Sequence, residues 1–487
     1  MGVFMKKTII SLLLCIILYA QELRVTDMNG YSVEAPKMAI SNGYVHLTYA
    51  TNYRYYKFPV TGPTSPISNP IYLYPNQWGP YCVSISAFNN NVYSSCIDWV
   101  HTGYNYYTFF STNGGNNWPT QIFIDTVEQI NWLSLRKDLP NIVVDNNGNF
   151  YHLWYIFKNQ GGTGKLMFSN DAGITRKEIG DTNSEEAVSI YARKINEQNY
   201  VAIVYYSSQI GKVYCVLSSD GGQTFSQPYE ILRFDNDNGF TNVEKSWVKI
   251  MPNGDIYAAI SYLQMQFGNN DPNHEWMGGT FIYKSTDLGN NWDYFAQIDT
   301  IYEFYHTVFD MKDDGTIVKL FTDGLNFQIG SSKDGINWNK TDNQVSRDSL
   351  YPNSFNMQFV DNKAAVAWID NRTGHDEIYY KLIDIPSPPL VAIENNLLKN
   401  RYDITIKNYP NPFNPTTKIV YQIPVNSYLK IVLYDNSGKQ IKTLYEGFQV
   451  KGEYNIDFNA SNLATGVYFV EINNTLQRKT HKILYLK

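Results

Sequence analysis

The side chains able to do chemistry in this 487-residue chain fall in a few short stretches. Glu185-Glu186 can supply one half of a carboxylate pair that cleaves glycosidic bonds, which works at separations of roughly 5–10 Å. His274-Glu275-Trp276 lies in a long stretch, 264–279, with glycine on both sides, and long insertions tend to carry function. Asp370 and Arg372 are followed by His375 and Asp376. Trp99, between Asp98 and His101, and Trp132, near Arg136, offer aromatic faces on which a sugar ring can stack. The candidate catalytic groups are therefore Glu185, Glu275 and Asp370. The candidate ligand contacts are Trp99, Trp132, Arg136, His274, Trp276 and Arg372. Plainer readings stand beside these. A Glu-Glu pair is more often a solvated acidic loop, and a Trp more often packs than binds. An Asp-Asn-Arg turn is more often closed by its own salt bridge.

No metal or cofactor is expected. The chain has four Cys, no CxxC and no Cys/His cluster. The run Asp235-Asn236-Asp237-Asn238-Gly239 hints at calcium. Its Gly comes one place too early for an EF-hand loop, and no bidentate Glu follows at the right distance. Cys82 and Cys96 flank a hairpin whose tip is Asn89-Asn90-Asn91. That pairing brings them nearly opposite, so a disulfide and two buried thiols both remain open.

The ends of the chain differ from its middle. Lys6-Lys7, an apolar run from Ile9 to Leu18 and then Tyr19-Ala20 make a secretory signal peptide over 1–20, too short to span a bilayer. Cys15 follows Leu14, so a lipoprotein anchor is not expected. No other apolar stretch suits a transmembrane helix. Net charge is −6; residues 1–20 carry +2 and residues 402–487 carry +4, leaving −12 for residues 21–401. An acidic body without a basic stripe excludes nonspecific nucleic-acid binding, which must neutralise phosphates.

Residues 21–384 repeat. Five segments carry Ser, then Gly, then an aromatic: Ser111, Gly115 and Trp118; Ser169, Asp171 and Gly173, with Arg176 at the aromatic place; Ser218, Asp220, Gly222 and Phe225; Ser285, Asp287, Gly289 and Trp292; and Ser331, Gly335 and Trp338. Ser and Asp side chains bond the backbone of such a turn, and Gly permits a positive φ. The aromatic would cover the edge of the next sheet. A second turn recurs at Asn42-Gly43, Asn89-Asn90-Asn91, Asn146-Asn147-Gly148, Asn196-Glu197-Gln198, Asn253-Gly254, Asp313-Asp314-Gly315 and Asp361-Asn362, each between strand-like runs. No segment has helical periodicity. These five segments resemble the Asp-box (BNR repeat) of sialidase-type propellers, S-x-D-x-G-x-x-W, with Asn113 and Lys333 departing at the Asp place. The fold expected is all-β: a six- or seven-bladed β-propeller followed by a small immunoglobulin-like sandwich. Seven units are countable, at 35–70, 79–125, 139–181, 187–234, 243–299, 302–345 and 354–384. The last lacks an outer strand, which 22–34 can supply.

The same resemblance bears on activity. Sialidases clamp a carboxylate with three Arg, the first in an Arg-Ile-Pro motif. The matching place here is Glu34-Ala35-Pro36, and a Glu there repels a carboxylate. Sialidase chemistry is not expected. The ligand face implied by the resemblance is the one opposite the box turns. Two function classes remain: a noncatalytic propeller that binds a glycan or a surface protein, and a glycoside hydrolase or lyase with a different active site.

Residues 385–401 open Ile385-Pro386-Ser387-Pro388-Pro389 and read as a linker. Residues 402–487 carry Tyr409-Pro410-Asn411-Pro412-Phe413-Asn414-Pro415 near their start and continue in short strands. This segment resembles the type A C-terminal sorting domain of the type IX secretion system. The resemblance implies a partner, the secretion machinery, and a secreted or surface location. The Pro-rich motif is expected as a rigid lead-in to the first strand, Lys418–Ile423.

Overall fold

The computed structural model describes residues 22–26, 36–49, 53–67, 69–73, 82–100, 103–128, 141–156, 164–171, 174–182, 188–207, 210–234, 239–266, 276–299, 308–322, 327–346, 353–389, 404–423, 427–449, 452–474 and 478–487. They contain no helix, hence none long and apolar enough to cross a membrane. The chain forms two compact units that meet between Pro389 and Leu390.

Among its described residues the first unit holds seven four-stranded antiparallel sheets. Blade 1 runs Lys37–Ser41, Tyr44–Tyr49, Arg54–Pro59 and Ile71–Tyr72; blade 2 runs Cys82–Phe88, Asn91–Val100, Gly103–Ser111 and Thr120–Glu128. Blades 3 to 6 repeat the order from Asn141–Val144 to Asn339–Ser346. Blade 7 takes Asn353–Val360, Lys363–Asp370 and Glu377–Asp384 from one end of the chain and Leu23–Arg24 from the other.

Apolar strands become a ring because every sheet packs against both neighbours. Tyr53, Val83, Cys96 and Phe109 fill the space between blades 1 and 2. Tyr106, Ile124 and Trp154 join blades 2 and 3; Leu153, Phe168 and Ile203 join 3 and 4. Phe234 lies edge-on to both Tyr206 and Tyr262 between blades 4 and 5. Ala259 and Met311 join 5 and 6, Ile329 and Trp368 join 6 and 7, and Tyr380 with Leu47 joins 7 back to 1. Each such large side chain taken from water is worth about 1.5–3 kcal/mol.

The register settles the cysteines. The hairpin after Phe88 turns through two residues, Asn89 with φ +52° and Asn90, so Phe88 pairs with Asn91. Val83 then lies opposite Cys96, and Cys82 opposite Ile97. A one-residue offset sets two residues on opposite faces of a sheet, so this register does not make Cys82 and Cys96 a bridged pair. Cys96 is a buried thiol.

Two further expectations shift. The start of the expected linker belongs to blade 6: Ser331 donates to the Pro386 carbonyl, Asn339 donates to that of Ser387, and Ile385 is buried. In the second unit a strand that spacing did not show, Thr405–Tyr409, ends on the first residue of the Pro-rich motif. One sheet orders Thr405–Tyr409, Thr416–Ile423 and Gly452–Asn459. The other orders Gln440–Gln449, Ser427–Asp435, Gly466–Asn474 and Arg478–Tyr485. Ile419, Tyr421, Ile431, Leu433, Phe458 and Ile483 fill the core between them.

Candidate functional site

Antiparallel order fixes which turns share a face. In blades 1 to 6 the first-to-second and third-to-fourth turns lie at one end and the second-to-third connection at the other, and blade 7 follows the same order without a third-to-fourth turn. Neighbouring first turns touch: Asn42 Nδ2 donates to Asn90 Oδ1 at 2.9 Å, and Asn146 Oδ1 accepts from the Lys194 amide at 2.6 Å. The Ser-rich turns join third to fourth strands, so they lie on this same face.

Each Ser-rich turn is closed by hydrogen bonds from its own Ser and Asp or Asn side chains. In blade 4, Ser218 Oγ donates to Asp220 Oδ1 and accepts from the Gly222 amide at 2.8 Å. Asp220 also accepts from Thr224 N and Oγ1. Burial pulls the other way, but these bonds hold the Asp220 carboxyl down at about 2. Blade 5 repeats the arrangement with Ser285, Asp287, Gly289 and Asn291, and Trp292 Nε1 donates to the Gly289 carbonyl. In blade 2, Ser111 bonds Asn113, which takes the Asp role toward Asn117 N, and the Gly115 amide donates to Ser111. In blade 3, Ser169 bonds Asp171, which accepts from Thr175; Gly173 lies outside the described residues.

Blade 6 corrects the sequence alignment. Its turn is one residue shorter: Ser332 bonds Asp334, the Gly335 amide donates to Ser332, and Asn337 donates to Asp334. Ser332 and Asp334 fill the roles given to Ser331 and Lys333, while Ser331 faces Pro386. The aromatic place reaches the preceding blade, not the next one. Trp118 lies edge-on to Tyr55 of blade 1 at 4.9 Å, and Phe225 to Phe168 of blade 3 at 5.0 Å. Trp338 joins the blade 5–6 core. Arg176 reaches back by a hydrogen bond instead, to the Ile124 carbonyl at 2.6 Å.

The described candidates lie at the opposite face. Trp132, Arg136, Glu185, His274 and Glu275 lie outside the described residues. Trp99 pairs with Tyr104 near the second-to-third end of blade 2. Trp276 opens the third strand of blade 5, opposite Met265, at the same end. Asp370 and Arg372 also lie there and are bound to each other. The buried Asp370 carboxylate accepts from Arg372 N at 3.0 Å, Nε at 2.9 Å and Nη2. Arg372 donates to Glu22 as well and lies 4.4 Å over the Tyr379 ring. Burial works against its charge, yet the bonds to Asp370 and Glu22 hold its proton more tightly than usual. Asp370 is thus committed to a turn.

Beside it, Glu377 is 1% exposed and accepts from Arg24 and Thr26, tying the N-terminal strand to blade 7. Next to this closure, at the same end of blade 1, Arg54 lies 5.9 Å over the ring of Tyr72, which is 56% exposed. Burial raises the nearby Tyr56 phenol to about 12 despite the Arg54 charge.

A second charged group crosses the ring. Lys249 of blade 5 lies 5.8 Å from the Tyr191 ring of blade 4 and 5.7 Å from the Phe359 ring of blade 7, and bonds Asp310 and the Met311 carbonyl of blade 6. Arg193 of blade 4 grips both carboxylate oxygens of Asp313 in blade 6, at 2.7 and 2.8 Å. Burial pushes the Asp310 carboxyl up against the pull of Lys249. Among the described residues no three His, Cys, Asp or Glu cluster to hold a metal.

Sequence reading missed Arg54, Tyr72 and Lys249. Lys249 had a signal, a single charge within Trp247-Val248-Lys249-Ile250-Met251. Arg54 and Tyr72 had none, because they are brought together only by strand pairing.

Residues 407–485 match the family model of the secretion system C-terminal sorting domain. The tail is a type IX sorting domain. It directs the chain to the cell surface or extracellular space through the type IX secretion machinery. No curated protein matches the chain. Among solved structures, the polysaccharide lyase Uly1 is similar at a TM-score of 0.45 and 8% identity, over 75% of this chain and 92% of that one. A PL25 ulvan lyase bound to -[GlcA(1-4)Rha3S]- is similar at 0.44 and 12%, over 75% and 96%. The α-L-arabinofuranosidase Arb93A from Fusarium graminearum is similar at 0.39 and 12%, over 75% and 98%. None reaches a TM-score of 0.5, so no residue here takes a role from them.

Proposed function

We propose that this chain is a sialidase-like Asp-box propeller, exported behind a signal peptide over 1–20, that binds a glycan without sialidase chemistry. The proposed organisation is propeller 21–384 with 385–387 held against blade 6, a linker over the rest of 385–401, and sorting domain 402–487. The binding face is the one opposite the Ser-rich turns. The observation that carries this reading is the Arg54–Tyr72 pair, a cation over an open aromatic ring at the rim of that face. An exposed ring offers a sugar its apolar side, and a neighbouring guanidinium offers donors to hydroxyls or acidic groups. Asp370 and Glu377, two carboxylates on the same face, are already held by Arg372 and Arg24, which supports holding over cleaving.

The alternative is a hydrolase or lyase using Glu185 or Glu275. It is favoured by the place of Trp276, which opens a strand at that face directly after His274-Glu275. A glycan array and a polysaccharide panel, run on the mature protein, separate the two. Binding without product formation, lost in Arg54→Ala and Tyr72→Ala, supports the first. Release of reducing ends or unsaturated products that disappears in Glu275→Gln or Glu185→Gln supports the second and overturns the first.

A further inference from the structure

The sorting motif divides into a latch and one projecting contact. Arg478–Tyr485 is the outermost strand of its sheet, and such an edge invites unwanted pairing. The motif covers it. Asn411 Nδ2 donates to the Lys482 carbonyl at 3.3 Å, and Asn411 Oδ1 accepts from the Leu484 amide at 2.9 Å. The Phe413 amide donates to the Leu484 carbonyl, and the Leu486 amide to that of Phe413, both at 3.0 Å. Phe413 is buried against Tyr485 and Phe458. Asn408 is buried too, donating to Pro410 and Thr417 and meeting His481 Nε2 at 2.9 Å.

Tyr409 does none of this. It is 83% exposed in a domain that buries Tyr421, Tyr468 and Tyr485. Its cross-strand partner is Lys418, and Lys407 lies two residues before it, so all three share one face of the three-stranded sheet. Asn408 pins the backbone beneath, so the ring is presented at low entropic cost. Tyr is among the side chains that interface hot spots favour; of the two Lys beside it, Lys418 also lies 3.6 Å from Asp457 on the next strand.

We propose that Tyr409, flanked by Lys407 and Lys418, is the contact by which the type IX machinery grips this domain, through an acidic, aromatic-accepting surface. The occupant follows from the sorting-domain match and the charge of residues 402–487, +4 beside an acidic body.

The test uses the full chain in a bacterium with type IX secretion, comparing exported with periplasmic protein. Hydrogen exchange of 478–485 is measured on the same variants. Tyr409→Ala should cut export about tenfold, the loss expected for an interface aromatic, with exchange unchanged. Lys407→Glu with Lys418→Glu should reduce export in the same way, and Tyr409→Phe should largely retain it. Asn411→Ala should instead speed exchange of the last strand. Normal export of Tyr409→Ala overturns the proposal. So does a Tyr409→Ala variant whose last strand exchanges as fast as that of Asn411→Ala, because the role would then be structural.

Discussion

At one face of the propeller the turns repeat: Ser218, Asp220 and Thr224 in blade 4 make the same bonds as Ser285, Asp287 and Asn291 in blade 5. At the other face the described connections share no pattern. Blade 7 closes its turn with an Asp370–Arg372 pair, while blade 1 presents Arg54 over Tyr72. The repeated face uses the Ser and Asp or Asn side chains of its boxes to close the turns themselves. The unrepeated face keeps an aromatic ring open to solvent with a half-buried guanidinium beside it. Repetition marks what the ring needs to close, and its absence marks where a ligand can be met.

The largest expected effect strikes the body both faces share. His46 and His152 are buried in blades 1 and 3, and burial lowers them to about 4 and about 3. The unfolded chain therefore binds the extra protons first. Stability is full above the unfolded value of about 6.5 and falls as pH drops toward 4 and then 3. At 1.36 kcal/mol per pH unit per group, the loss by pH 4 is on the order of 3 kcal/mol for each His. Urea titrations of the propeller from pH 7.5 to 4 should show this decline, and a flat profile would refute the buried neutral pair.

Ring closure comes next. Glu377→Ala removes the carboxylate that accepts from Arg24 and Thr26 and should cost about 3 kcal/mol. Thermal melting checks it, with Glu230→Ala as an exposed-pair control expected to cost under about 1 kcal/mol.

Gly222 carries φ +82°, and an added Cβ would lie 2.3 Å from the Phe168 ring. Gly222→Ala should cost about 2–3 kcal/mol, whereas Gly254→Ala, with open space around it, should cost about 1 kcal/mol for its φ alone. Equal melting shifts in the two would break the account of how the turns seat against the neighbouring blade.

These positions show what was readable in advance. The repeated units and their hairpins could be read, because strand periodicity and Asn-Gly turns are local signals, while six or seven blades stayed open and 22–34 was only a candidate for the closing strand. The fifth Ser-rich turn could not be aligned from Ser331-Ser332-Lys333-Asp334, since two adjacent serines fit and only hydrogen bonding selects Ser332. The cysteine pairing turned on one residue of turn length. Lys249 and Arg54 acquire meaning only from blades far apart in sequence. The role of Asp370 was open in sequence, and burial with Arg372 decides its geometry.

The smallest stability effects fall on the face proposed for binding. Arg54→Ala and Tyr72→Ala should each change stability by under about 1 kcal/mol, as partly exposed side chains usually do. Asp220→Ala, on the repeated face, should cost about 1–2 kcal/mol through the bonds it loses.

The most direct test sets these variants side by side in one glycan-binding titration on the propeller's best array ligand, with melting temperatures measured on the same samples. The account predicts that Arg54→Ala and Tyr72→Ala weaken binding about tenfold, the effect of about 1.4 kcal/mol, while melting as the parent does. Asp220→Ala should melt lower and bind unchanged. Binding that survives in Arg54→Ala and Tyr72→Ala but is lost in Asp220→Ala would place the ligand on the repeated face and contradict the account.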